Sequence, residues 1–372
     1  MKNWASKVSG IIDCHVHMMG GLTREQALLE IREAAGIEQM NLVAIQDPAA
    51  GSGLPEAILM KALYPDRFYL FGGLNHAERL TEGRVTGPGL AEQVDLLVAI
   101  GCDGVKLIEG KPTSRQKLPV PLDDPYYDGC FARMAELGLP IVWHVNDPEE
   151  FWDPARLPAW ARERNWGYGP EDVRKEQLYK EVDRVLNRHP DLRPIFAHFY
   201  FLSADLDRAA AFMDRNPNAC FDLTPGIEML YNISRDPGRG RRFFLRHADR
   251  IVFGTDIQAT LTVEEGAIRA GIVYRWLETN DAFRIPAEAD FLLGQPEDGQ
   301  ISGMSLPDDV LEAIYRENFI GFAGPTPKPV DADVAIGECR RLARVAEAMS
   351  GTPAAETPAA IVADRLIDLA SR

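Results

Sequence analysis

The chain is short of the features that announce several protein classes. Its 372 residues contain five cysteines, Cys14, Cys102, Cys130, Cys220 and Cys339, and no Cys-x-x-Cys pair. Such scatter fits small core residues in a reducing compartment better than a disulfide framework. No apolar run approaches the roughly 20 residues of a membrane span, and the opening Met-Lys-Asn-Trp-Ala-Ser-Lys lacks the apolar stretch of a signal peptide. A cytoplasmic location is therefore expected. Positive charge is also scarce. With 40 Lys and Arg against 56 Asp and Glu, the net charge is -16, which argues against nucleic acid or an anionic membrane as a partner and leaves a small molecule as the expected ligand. Finally, no Gly-x-Gly-x-x-Gly turn follows the first apolar run, as a dinucleotide-binding open sheet would require.

Apolar content, at 46%, is ample for a buried core. It is distributed as short, β-branched runs centred on Ile11–His15, Asn41–Ile45, Phe68–Phe71, Gly104–Leu107, Pro140–His144, Pro194–Ala197, Ala219–Leu223 and Arg250–Phe253. Helical stretches separate them: Leu90 to Ile100 repeats apolar residues at helical spacing and stops at Gly101, and Cys130 to Leu137 stops at Gly138. Thr23 with Gln26 resembles a capping box for a helix ending near Ala35 and Gly36, and Ser305 with Pro307 and Asp308 marks another helix start. Eight strand and helix pairs over about 250 residues predict a (β/α)8 barrel of parallel strands. The barrel is expected over residues 1–324. Residues 325–372 open with Pro-Thr-Pro-Lys-Pro and then turn helical, as an extension packed on the barrel's outside.

Histidine is where the chemistry concentrates. Ile-Ile-Asp-Cys-His-Val-His-Met puts His15 and His17 two residues apart on a strand, hence on one face, where two neutral imidazoles can share a divalent ion. His144, His198 and Asp256 terminate the fifth, sixth and eighth apolar runs. In a parallel barrel those ends form one cup, and ring closure brings strand eight beside strand one. Taken singly, each has a plainer reading, as a buried histidine bonded to backbone or a turn carboxylate. Asp13 is either a partner that orients a ligand or a structural acceptor. His76 reads as a solvated loop histidine, and His189 and His247 fall at the opposite mouth.

The order His-x-His on strand one, His on strands five and six, and Asp on strand eight resembles the amidohydrolase superfamily, in particular the branch that holds lactone hydrolases and metal-dependent decarboxylases. The resemblance spans about residues 10–322 and includes the closing Glu-Asn-Phe-Ile-Gly-Phe-Ala-Gly. It implies that His15, His17, His144 and Asp256 bind one divalent ion, zinc before manganese. It also implies that Asp256 moves the proton of an activated water, and that His198 stabilises a substrate oxyanion. Lys106 on strand four is expected to bind an anionic substrate group; were it carboxylated, as in some members, it would bridge two ions.

Substrate contacts are expected from Trp143, Trp152, Glu228, Tyr231 and Arg235, with Arg239 as a further carboxylate ligand. The Pro- and Gly-rich insertion carrying Phe151, Trp152, Trp160, Trp166 and Tyr168 reads either as a lid or as a self-packed loop. The leading expectation is hydrolysis of a C–N or C–O bond in a small metabolite. Non-oxidative decarboxylation of a small carboxylic acid is the alternative, and a barrel that binds a metabolite without turnover is the third. A homodimer is implied only by the resemblance.

Overall fold

A computed structural model describes residues 4–18, 22–47, 51–226 and 228–371. All eight expected apolar runs are strands: β1 (Ile12–His17), β2 (Gln39–Val43), β3 (Phe68–Gly73), β4 (Gly104–Gly110), β5 (Pro140–Val145), β6 (Arg193–Phe196), β7 (Cys220–Asp222) and β8 (Ile251–Val252). A further short strand, β9 (Ile257–Gln258), follows directly. The sheet runs β8-β7-β6-β5-β4-β3-β2-β1-β9, and every pairing in it is parallel. Its two ends are one interrupted strand. β8 pairs with β7, β9 pairs with β1, and between them Cys14 N–H bonds the Phe253 carbonyl while Asp256 N–H bonds the His15 carbonyl, both at 2.9 Å. The break depends on Gly254, where a Cβ would stand 2.9 Å from Thr224 Oγ1 and 3.1 Å from Cys14 Sγ.

The main helices return the chain from the top of each strand to the bottom of the next: α1 (Glu25–Ala34), α2 (Leu54–Leu63), α3 (Leu90–Ile100), α4 (Pro125–Glu136), α5 (Lys175–Arg188), α6 (Leu206–Arg215), α7 (Pro237–Arg246) and α8 (Val263–Glu278). Most stop signals hold, with Gly36, Gly101 and Gly138 all left-handed past a helix end. Two start signals do not. α1 begins at Glu25 with no side-chain cap, and the helical segment 308–323 begins after Pro307 with none from Ser305. Acidic residues in their first turns, Glu25 and Asp308 with Asp309, supply the favourable charge instead.

Two apolar layers result. Ile12, Cys14, Val43, Phe71, Val142 and Ile195 fill the barrel interior. Below them Phe319 plugs the bottom against Tyr69 and Phe71, and Asn318 ties the plug to the eighth strand through the carbonyls of Ala248 and Ile251, each at 2.7 Å. The second layer lies between strands and helices. Trp143 belongs there: it is buried between Phe131 and Phe196, so the expectation that it contacts substrate is corrected. Strand alternation sends it outward because its neighbour His144 points in.

After the plug, α9 (Ala332–Ser350) and α10 (Pro358–Ala370) pack on each other and on α3 and α2. The docking starts where Asp331 N–H bonds the Ile100 carbonyl at 3.0 Å. All five cysteines are buried and free, and no helix among the described residues is long and apolar enough to cross a membrane.

Candidate metal centre

The centre begins with a bulge. Between Asp13 and Val16 the register of β1 against β2 shifts, so Cys14 stays in the barrel interior while His15 also turns into the cup. Asp13 therefore does not share the face of the two histidines. Its carboxylate accepts from Thr255 N–H (3.1 Å), Thr255 O–H (2.5 Å) and the His15 N–H (3.1 Å), which makes it a structural clasp between the first and eighth strands. Burial raises its pKa to about 7, against the pull of those hydrogen bonds.

Each histidine is fixed through its Nδ1. His17 Nδ1 lies 3.0 Å from the Val43 carbonyl, which can only accept, so that nitrogen carries the proton. His15 Nδ1 lies 2.8 Å from Asp222 Oδ2 and carries its proton for the same reason. Both Nε2 lone pairs are left facing the cup. Asp256 meets them there, with Oδ1 3.1 Å from His17 Nε2 and 4.0 Å from His15 Nε2. The three residues present ligand atoms within 4.8 Å of one another, and they are the one such group of His, Cys, Asp or Glu among the described residues.

Asp256 is reached through a left-handed residue (φ 59°), a conformation that turns the carboxylate back over the strand end. Burial alone would raise its pKa, but the His17 and His15 rings and Arg269 outweigh it and hold the group well below the usual carboxylate range. Arg269, fully buried, stands 3.7 Å from Asp256 Oδ2 and is itself anchored on Asp290 and on the Thr255 and Pro225 carbonyls.

Two more histidines line the same wall. The His198 ring is 5.6 Å from that of His15 and 4.8 Å from that of His144, centre to centre. Residues 198–201 are all left-handed, which folds the strand end over the cup, and His198 Nδ1 is buried without a partner. Burial and the neighbouring His144 keep its ring neutral. His144 stands outside the group of three: its Nε2 is 3.0 Å from the Asn146 carbonyl and 3.4 Å from Asp147. Asn146, at φ 75°, bends the chain so that this carbonyl meets the ring. Burial, then Lys111, pushes the His144 pKa down to about 4. Lys106 Nζ lies 3.2 Å from His15 Nε2, with its pKa lowered by burial to about 8.

The outer candidates spread apart. Glu228 lies near Lys175 with its Oε2 unpartnered, and burial raises its pKa to about 7. Tyr231 is covered by the turn at Gly294 and Gly299, and Arg235 is exposed at a helix end. Arg239 pairs with Asp207 at 2.7 Å. The helix Met229–Ser234 buries Met229, Leu230 and Ile233 and leaves Arg235 in solvent just beyond its end. Trp152 donates its indole N–H to the Val173 carbonyl and packs on Tyr168, within a cluster shared by Phe151, Trp160 and Trp166. His76 is also corrected. Far from solvated, it is buried between Glu109 (2.7 Å) and Tyr126 (2.9 Å).

Sequence reasoning missed Asp222, the hub of the centre. It accepts from His15 Nδ1, from the His198 N–H at 2.8 Å and from Thr224 N–H and O–H at 3.1 and 2.5 Å. The available signal was Phe-Asp-Leu-Thr, an acid terminating the seventh apolar run as Asp256 terminates the eighth. Arg269 lies mid-helix and carries no such mark.

Residues 12–318 match the family model described as Amidohydrolase. No curated protein matches the sequence. Among solved structures, an uncharacterised TIM-barrel protein from Bordetella bronchiseptica is 18% identical, with a TM-score of 0.51 over 84% of this chain and 98% of that one. An amidohydrolase II is 13% identical, with a TM-score of 0.52 over 84% and 99%. The IDCase of Metarhizium anisopliae, in apo form, is 16% identical, with a TM-score of 0.50 over 84% and 97%. Identities this low speak to the fold.

Proposed function

Because this chain belongs to the amidohydrolase family, we propose that it is a metal-dependent hydrolase that adds water across a C–N or C–O bond of a small metabolite. One observation carries the reading. Asp222 and the Val43 carbonyl hold the Nδ1 protons of His15 and His17, so both Nε2 lone pairs face Asp256 Oδ1. Two imidazoles and a carboxylate are a donor set that suits zinc, with manganese the next choice. His15, His17 and Asp256 would hold the ion, with His144 proposed as a fourth donor. When bound, such an ion lowers the pKa of water and polarises a substrate carbonyl.

The remaining work falls to the chain's own groups. Asp256, kept ionised, accepts the proton of the attacking water and passes it to the leaving nitrogen or oxygen. Arg269 limits rotation of that carboxylate. His198, neutral and with Nδ1 free of protein partners, donates a hydrogen bond to the oxyanion that the attacked carbonyl becomes. Lys106, buried beside His15, receives an anionic substituent of the substrate.

Lys106 also favours a second reading. A buried cation in the cup suits a substrate carboxylate, and in decarboxylation Asp256 would first take a proton from water, the C–C bond to that carboxylate would break, CO2 would leave, and Asp256 would pass the proton to the carbon. Elemental analysis of the purified protein, with product analysis on lactones, amides and aromatic acids, separates these. Water addition supports hydrolysis, and CO2 release without it replaces hydrolysis by the second reading. Protein that carries little metal and turns over none of them, with Asp256→Asn indistinguishable from wild type, would leave a metabolite-binding barrel.

A further inference from the structure

The strand that carries His144 runs on into two residues that close over its ring. The Asn146 carbonyl, 3.0 Å from His144 Nε2, can only accept, so that nitrogen carries the proton and the lone pair of the neutral ring is left on Nδ1. This is the tautomer opposite to that of His15 and His17, whose protons sit on Nδ1. Asp147 Oδ1 stands 3.4 Å from the same Nε2, and its carboxylate is buried. A ligating imidazole is commonly fixed by such a carboxylate, which aims the ring and makes its free nitrogen a better donor.

What holds Asp147 comes from the aromatic insertion and from the end of β4. Tyr168 O–H donates to Oδ2, and Lys111 Nζ lies 3.2 Å from Oδ1. Burial alone would raise the pKa of the carboxyl, but Lys111, then His144 and Tyr168, outweigh it and keep the group ionised. Tyr168 packs on Trp152, ring centres 4.6 Å apart, and donates its N–H to the Phe151 carbonyl at 2.7 Å. Lys111 Nζ lies 5.5 Å from the centre of the Trp166 ring. Self-packing explains the aromatic cluster. It does not explain why a phenol hydroxyl leaves that cluster for a buried carboxylate just past a histidine of the cup.

We propose that Asp147 is a positioning residue of the metal centre: it orients His144 for the ion through the Nε2 proton, and the insertion, residues 149–172, holds it there through Tyr168. This role rests on the metal-dependent reading above, whether water addition or loss of CO2 follows. Asparagine at position 147 isolates the charge. Its oxygen can stay on His144 and Lys111 while its NH2 faces the Tyr168 oxygen, which can turn to accept, so no donor is stranded.

The test is competition of the full chain for zinc against chelators of graded strength, with melting curves to check that each variant is folded. Asp147→Asn is expected to weaken zinc about tenfold, and Tyr168→Phe by a smaller factor of about three. Where His144→Ala has already removed the ring, neither change should weaken zinc further; effects that simply add would mark Asp147 as serving the fold alone and overturn the proposal. Should His144→Ala bind too weakly to compare, the visible absorption of cobalt-loaded protein decides, because its bands report the ligands around the ion. They must move in Asp147→Asn, and unmoved bands overturn the proposal. Zinc bound by Asp147→Asn within twofold of wild type overturns it too, with the metal reading intact, and unchanged affinity in Tyr168→Phe removes the part given to the insertion. Should Asp147→Asn fail to fold, Tyr168→Phe carries the same cycle. Zinc that does not bind wild type removes the metal reading and the role of Asp147 with it.

Discussion

Replacing Asp222 by asparagine probes the centre at its least conspicuous point. The carboxylate uses both oxygens: Oδ2 takes the His15 Nδ1 proton, and Oδ1 takes the His198 N–H and both Thr224 donors. An amide has one oxygen to offer. If that oxygen remains on His198 and Thr224, the new NH2 faces His15 and forces Nδ1 to accept. The imidazole proton then moves to Nε2, and the lone pair aimed at Asp256 is lost. If the amide flips, the His198 and Thr224 donors are stranded in a fully buried site, at about 1–3 kcal/mol for each unsatisfied group. In the first case metal affinity should fall about 10- to 100-fold, or about 1.4–2.8 kcal/mol. Competition titration against a fluorescent chelator measures it, with near-UV circular dichroism as the check on folding. A folded Asp222→Asn protein that binds zinc within twofold of wild type would refute the tautomer argument.

Other outcomes follow from the same structure. Chelation should lower the melting temperature and abolish turnover, and added zinc should restore both, because an ion that binds only the folded chain stabilises it by mass action; scanning calorimetry with and without chelator checks this. Trp143→Ala should cost about 3–5 kcal/mol through the void left between Phe131 and Phe196, yet leave KM nearly unchanged, in urea melts and steady-state kinetics. Glu228 has a folded pKa raised to about 7 from 4.5, so the stability its protonated form contributes is full below 4.5 and is lost as pH rises to about 7. Glu228→Gln should therefore match wild type at pH 4.5 and exceed it by ~2 kcal/mol at pH 8 in urea melts.

Legibility followed locality. Leu90–Ile100 with Gly101 could be read directly, because helical spacing and a left-handed stop are properties of a dozen consecutive residues. The eight apolar runs were equally plain, since strands buried on both faces need continuous apolar residues. His15 and His17 were marked by spacing on one strand, and Asp256 by ending another. Asp13 was left between two roles, because the bulge after it breaks the alternation, and a bulge depends on the partner strand's register. Trp143 and His76 were misplaced for a related reason: neither residue announces which layer will cover it.

By itself the sequence determined a parallel barrel, a helical tail and a cluster of imidazoles and carboxylates at strand ends, because periodicity and the direction of β/α crossovers are enough for that. Tertiary structure decided which nitrogen of each histidine is free, which histidine turns toward a backbone carbonyl, and which acid serves as the hub. Those outcomes depend on hydrogen bonds between residues up to 209 positions apart, such as that from His15 to Thr224. Such partners meet only when the ring of strands closes.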